Sequence, residues 1–136
     1  MEKVIVIPVD ELTSATFTRA RGAEAFEALT KRVNGLRDGS VTVLIDISHA
    51  KMVSGSFLDE LVWRIASQAS QSPPRIGFRL GSKEGVSKLE RVCSLRRVEC
   101  VYQSEDSDEL RKTRVKRPAH LRFHSYPGSF FEPGPS

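Results

Sequence analysis

Cysteine, histidine and tryptophan are scarce in this chain, and no run of apolar residues is long. Of 136 residues, two are cysteine, three histidine and one tryptophan. Cys93 and Cys100 lack the close spacing of a zinc site, and one pair is too few for a disulfide framework. His49, His120 and His124 are dispersed, so no metal and no cofactor is expected. No apolar stretch approaches the ~20 residues of a membrane-spanning helix. The opening MEKVIVIPVDEL has neither the basic start nor the long apolar core of a secretory signal, and it reads as a strand. A cytoplasmic protein with two reduced thiols and no membrane partner is the expectation.

What is present points to one α/β domain with a distinct tail. Hydrophobic residues at 39% and charged residues at 28% fit an ordered core. The net charge of +4 is unevenly placed. Residues 1–110 hold 15 Lys and Arg against 16 Asp and Glu, and residues 111–136 hold six against one. The body is therefore near neutral and the basic character belongs to the tail, which removes most support for nucleic-acid binding by the body. The expected division is a domain over 1–112 and a basic, proline- and aromatic-containing tail over 113–136, partly disordered.

Apolar periodicity gives the element order. VIVIPV (Val4–Val9) is a β-branched strand whose proline suits a sheet edge or strand end. A polar connection follows, with a second short strand expected around Ala15–Phe17. GAEAFEALTKRVNGL spaces Phe26, Leu29, Val33 and Leu36 as a helix. VTVLIDI (Val41–Ile47) reads as a deeply buried strand, and a helix from Ser56 to Gln71 ends at Ser72-Pro73-Pro74. RIGFRL alternates as a strand, Ser82 caps a helix through KEGVSKLERVCSL, and RVECVYQ alternates again. SEDSDELRK, with acids first and Arg111 and Lys112 last, suits a short terminal helix. The sum is a four- to five-stranded sheet with about four helices, the parallel pairs joined by right-handed crossovers.

The link into the second main helix holds the candidate site. With each residue advancing about 100°, Phe57, Leu58, Leu61, Val62, Ile65 and Ala69 form one apolar stripe. Ser56, Asp59, Glu60 and Trp63 share the opposite face at the helix start. The only tryptophan thus points outward beside two carboxylates and a hydroxyl, a composition suited to anchoring a partner. Cover by the aromatic tail or by a second copy in a homodimer is the plainer alternative. Ser56 is expected to be the N-cap, accepting from the Asp59 amide, and Gly55 eases the backbone into the helix.

At these residues the sequence resembles the STAS family, the fold of bacterial anti-sigma-factor antagonists, and especially its small STAS-like branch of unknown function. The matching parts are TRARGAEAFEAL (Thr18–Leu29), VTVLIDIS (Val41–Ser48) and SGSFLDEL (Ser54–Leu61). That branch typically shows Ser-x-Ser-Phe-x-Asp-Glu here, matched by Ser54, Ser56, Phe57, Asp59 and Glu60. The resemblance implies helices mainly on one face of the sheet and a regulatory, protein-binding role without catalysis. It also implies docking on an anti-sigma factor or kinase-like ATPase that phosphorylates a serine at the helix start. Gly55 stands where the family's phosphorylated serine normally does, and Val53 replaces an acidic residue. Ser54 and Ser56 are then the candidate phosphorylation sites, and Ser54, Gly55, Ser56, Asp59, Glu60 and Trp63 the candidate partner-binding set.

Two other function classes have residues that suit them. Arg111, Lys112, Arg114, Lys116, Arg117 and Arg122, interleaved with aromatics, are candidate nucleic-acid contacts in the tail, against the simpler reading of a solvated basic tail. Asp46, His49 and Ser54 or Ser56 invite a triad, but no nucleophile-elbow signature accompanies them, and GSKEG (Gly81–Gly85) is too short for a phosphate-binding loop. No catalytic residue is assigned.

Overall fold

A computed structural model describes residues 3–36, 39–69 and 74–113. Its strands are β1 (Lys3–Pro8), β2 (Val41–Asp46), β3 (Arg75–Leu80), β4 (Val101–Ser104) and β5 (Arg111–Lys112). Its α-helices are α1 (Arg19–Val33), α2 (Gly55–Ala69) and α3 (Lys83–Arg96), and a short 3-10 turn at Val9–Glu11 follows β1. The strands lie in sequence order. β1 to β4 are parallel and β5 returns antiparallel to β4.

This order places all three helices on one face. Each parallel step moves to the next strand in the same direction, and crossovers of one hand then return on the same side. Side chains bear this out. Ile5, Val43 and Ile76 form one cross-strand row, and Ile7, Ile45, Phe78 and Tyr102 form the next. Both rows join the core with Leu29 of α1, Phe57, Leu61 and Val62 of α2 and Leu89 of α3. Full burial of such a side chain contributes about 1.5–3 kcal/mol. The opposite face carries Val4 and Val6, about two-fifths exposed, and Arg75 and Arg79, which bond Thr42 and Gln103.

α1 starts a turn earlier than its apolar spacing suggests, because Thr18 accepts from the Arg21 amide at 3.2 Å. Gly22 lets α1 lie against the start of α2. A Cβ there would meet the Phe57 carbonyl oxygen at 2.8 Å and the Glu60 Cβ at 3.0 Å. Ser82 caps α3 as expected, accepting from the Gly85 amide at 3.1 Å. α3 closes on Arg97, which takes the left-handed conformation at φ 57° and hands its own amide and that of Val98 to the last-turn carbonyls. Cys93 and Cys100 are buried free thiols, and the contact with Cys93 together with burial holds the Cys100 thiol well above its usual range.

Two expected elements are absent. Ala15–Phe17 is not a strand, because its hydrogen bonds go to the loop before α2. SEDSDELRK does not form a helix. Ser104 and Ser107 turn their hydroxyls onto Asp106 and the Glu109 amide, and such local bonds compete with helix. The Gln103 amide holds the Asp108 carbonyl at 2.9 Å, and the chain then doubles back as β5. Thr113 finishes the return: its amide donates to the Cys100 carbonyl and its hydroxyl accepts from the Cys100 amide. The helix count is accordingly three among the described residues, with a fifth strand. The expected tail lies, from residue 114 onward, outside the described residues.

Candidate functional site

The carboxyl ends of β2 and β3 open onto the loops that feed α2 and α3. Asp46 ends β2, one residue before the expected Ile47, and accepts from the amide and hydroxyl of Ser48 at 2.9 and 2.5 Å. His49 is exposed. Among the described residues no hydrogen bond links it to Asp46 or to Ser54 or Ser56. The Ser54 hydroxyl instead donates to the Phe17 carbonyl at 2.7 Å and accepts from the Phe57 amide at 3.0 Å.

Ser54, not Ser56, therefore caps α2. The reason is the extra clasp between the loop before α1 and the loop before α2. Besides the Ser54 hydroxyl, the Ser54 amide donates to the Thr16 carbonyl at 2.9 Å, and the Thr16 hydroxyl donates to the Met52 carbonyl. With its backbone held there, Ser54 stands just before the helix, which begins at Gly55. Ser56 falls inside the first turn, exposed, with no hydrogen bond from its hydroxyl to any described residue.

The two candidate phosphorylation sites are thus physically different. Ser54 is half-buried and its hydroxyl is used twice, so modifying it would dismantle the cap and the clasp. Ser56 is free on the surface at the positive end of a fifteen-residue helix.

The expected division of α2 into two faces holds. Phe57, Leu58, Leu61, Val62 and Ile65 are buried, each with no more than 3% of its surface exposed, while Trp63 keeps 45%. Gly55, Ser56 and Trp63 lie open beside the partly covered Asp59 and Glu60. These acids are not free, however. Asp59 accepts from Arg96 of α3 through Nε and Nη2, both at 2.8 Å, and from Arg19 of α1 at 2.6 Å. Glu60 pairs with Arg64 at 2.7 Å and stands 3.7 Å from Arg19. Hydrogen bonding by Arg96, then by Arg19, holds the Asp59 carboxyl down to about 2. The Arg96 guanidinium carbon also lies 4.9 Å over the Trp63 ring.

The expected acidic patch is therefore an internal brace. Its carboxylates tie α1, α2 and α3 together, and the surface left over is one side of an indole, a hydroxyl and the flanks of three arginines. Sequence reading missed Arg19, Arg64 and Arg96. Only the Glu60–Arg64 pair, four residues apart on one helix, carries a local signal. It also missed Phe17 and Met52, which are 49% and 58% exposed beside the clasp. Their exposure follows from backbone bonds between distant loops, which no periodicity reports.

Of the alternative nucleic-acid residues, Arg111 and Lys112 lie exposed on β5, and Arg111 stands 3.4 Å from Glu109. Arg114, Lys116, Arg117 and Arg122 lie outside the described residues. Among the described residues no cluster of three His, Cys, Asp or Glu is placed to hold a metal ion, and no helix is long and apolar enough to cross a membrane. Comparison with protein-family models, with curated proteins and with solved structures finds no match.

Proposed function

We propose that the chain is a non-catalytic regulatory module of STAS-like kind, resembling an anti-sigma-factor antagonist, that docks a protein partner through the leading end of α2. The observation that carries this reading is the exposed Ser56 and Trp63 on a helix start braced on both sides, by the loop clasp at Ser54 and by the arginines around Asp59. A rigid platform loses little freedom on binding, and an exposed indole backed by a cation is a ready anchor. The sheet with helices on one face is also what the resemblance implies. The proposed partner is an anti-sigma factor or a kinase-like ATPase in the cytoplasm, and the proposed switch is a phosphate on Ser56. A doubly charged group on that hydroxyl would sit at the favourable end of the helix dipole and change the charge of the docking surface.

Capture from native lysate tests the reading, with wild-type, Trp63→Ala and Ser56→Asp proteins compared by quantitative mass spectrometry. A partner retained by wild-type and lost from Trp63→Ala supports it. The same partners at the same yields on all three proteins would contradict it.

A further inference from the structure

A second feature lies beside this platform, at the carboxyl ends of the two central strands. A cleft of about 640 Å³ runs between the loop after β2 and the loop after β3. Lys51 and Met52 line one side, and Lys83, Lys88 and Arg91 line the other. Glu84 is the one carboxylate in its lining. Several guanidiniums elsewhere pair with acids, among them Arg19, Arg64 and Arg96. Among the described residues no carboxylate lies within ion-pair distance of Lys51, Lys83, Lys88 or Arg91. The Lys88 ammonium donates to the Val53 carbonyl at 2.6 Å across the cleft.

Four cations against one acid leave this concave surface positive, even with Asp106 acting on Lys83 from outside the cleft, and such a field steers an acidic group in. The apolar element is on the rim. Met52 belongs to the cleft and is more than half exposed. We propose that the cleft receives an acidic segment of the protein partner, its carboxylates against the four cations and one apolar side chain on Met52. The inference rests on the docking reading and adds the chemistry of the partner. It predicts a partner that is acidic where it meets this end of the sheet.

The test uses the full chain and fluorescein-labelled short peptides built of Asp and Glu around one Phe or Leu, with Asn and Gln versions of the same peptides as controls, read by fluorescence anisotropy. The acidic peptides are expected to bind, the amide versions not, and the affinity should fall with added salt as screening shortens the charge interaction. Charge reversal by Lys83→Glu with Arg91→Glu should weaken binding by roughly tenfold or more. Met52→Ser should weaken it without altering the salt dependence. Both charged positions are exposed, so thermal melts should show the variants folded. Lys31→Glu, an exposed cation outside the cleft lining, should leave peptide affinity unchanged, which separates the cleft from general charge attraction. Absence of binding, equal binding of the amide peptides, or indifference to charge reversal would overturn the proposal. If partner capture still depends on Trp63 in that case, the docking reading stands and only the acidic-segment inference falls.

Discussion

Arg96 grips Asp59 with two parallel hydrogen bonds of 2.8 Å, and the two residues come from different helices. The same guanidinium lies over Trp63. One side chain thus ties α2 to α3 and lies against the half-exposed indole.

A double-mutant cycle should measure this pair directly. Asp59→Asn is expected to cost about 1 kcal/mol, since the pair is partly exposed and charge-assisted, and Arg96→Gln should destabilise in the same direction. The double mutant should cost less than the two losses added together. Urea unfolding followed by Trp63 emission gives the free energies, and the Arg96→Gln spectrum should itself shift as the cation leaves the ring.

Acid should remove part of this stability. The folded Asp59 carboxyl titrates near 2 and its ordinary value is 3.8. Between these values the unfolded chain binds the proton and the folded chain does not. The contribution is therefore present above about pH 4 and is lost as pH falls toward 2. The difference in stability between wild-type and Asp59→Asn should shrink over that window and be flat from neutral pH down to about 5.

The two serines should separate cleanly. Ser54→Ala loses the cap and a bond of the loop clasp, with an expected cost of about 1–2 kcal/mol. Ser56→Ala should stay within about 0.5 kcal/mol of wild-type, as for an exposed substitution without partners. Equal losses, read from chemical denaturation, would show that the cap is wrongly placed.

Gly22→Ala tests the approach of α1 to α2. Alanine favours helix by about 1 kcal/mol over glycine, but its methyl would press on the backbone oxygen of Phe57. Overpacking of this kind typically costs about 1–3 kcal/mol, so a lower melting temperature is expected despite the better helix former.

The parts of the fold governed by local pattern were legible in the sequence. Runs such as VTVLIDI and the stripe from Phe57 to Ile65 state their state and their buried side through period alone. The Ser82 cap follows from its place before a helix. What the sequence concealed depends on contacts between distant segments. Thr16 and Ser54 lie thirty-eight positions apart, and their bond moved the cap of α2 by two residues. Asp59 and Glu60 looked like a surface for a partner because Arg19 and Arg96 are distant in sequence. SEDSDELRK has helix-like charge order, yet serine and aspartate side chains bonding their own backbone, together with the open edge of β4, favour a strand return. Trp63 and Ser56 lie exposed on α2, the two acids turn to arginines, and Phe17 and Met52 lie exposed beside the clasp.

The most direct measurement uses the single tryptophan. With 5-fluorotryptophan incorporated into this chain alone, Trp63 gives one fluorine resonance in nuclear magnetic resonance spectra. Addition of a purified partner obtained by capture should shift and broaden that resonance in proportion to the complex formed. A partner that binds while the resonance keeps its free position and width would place docking elsewhere and contradict the account.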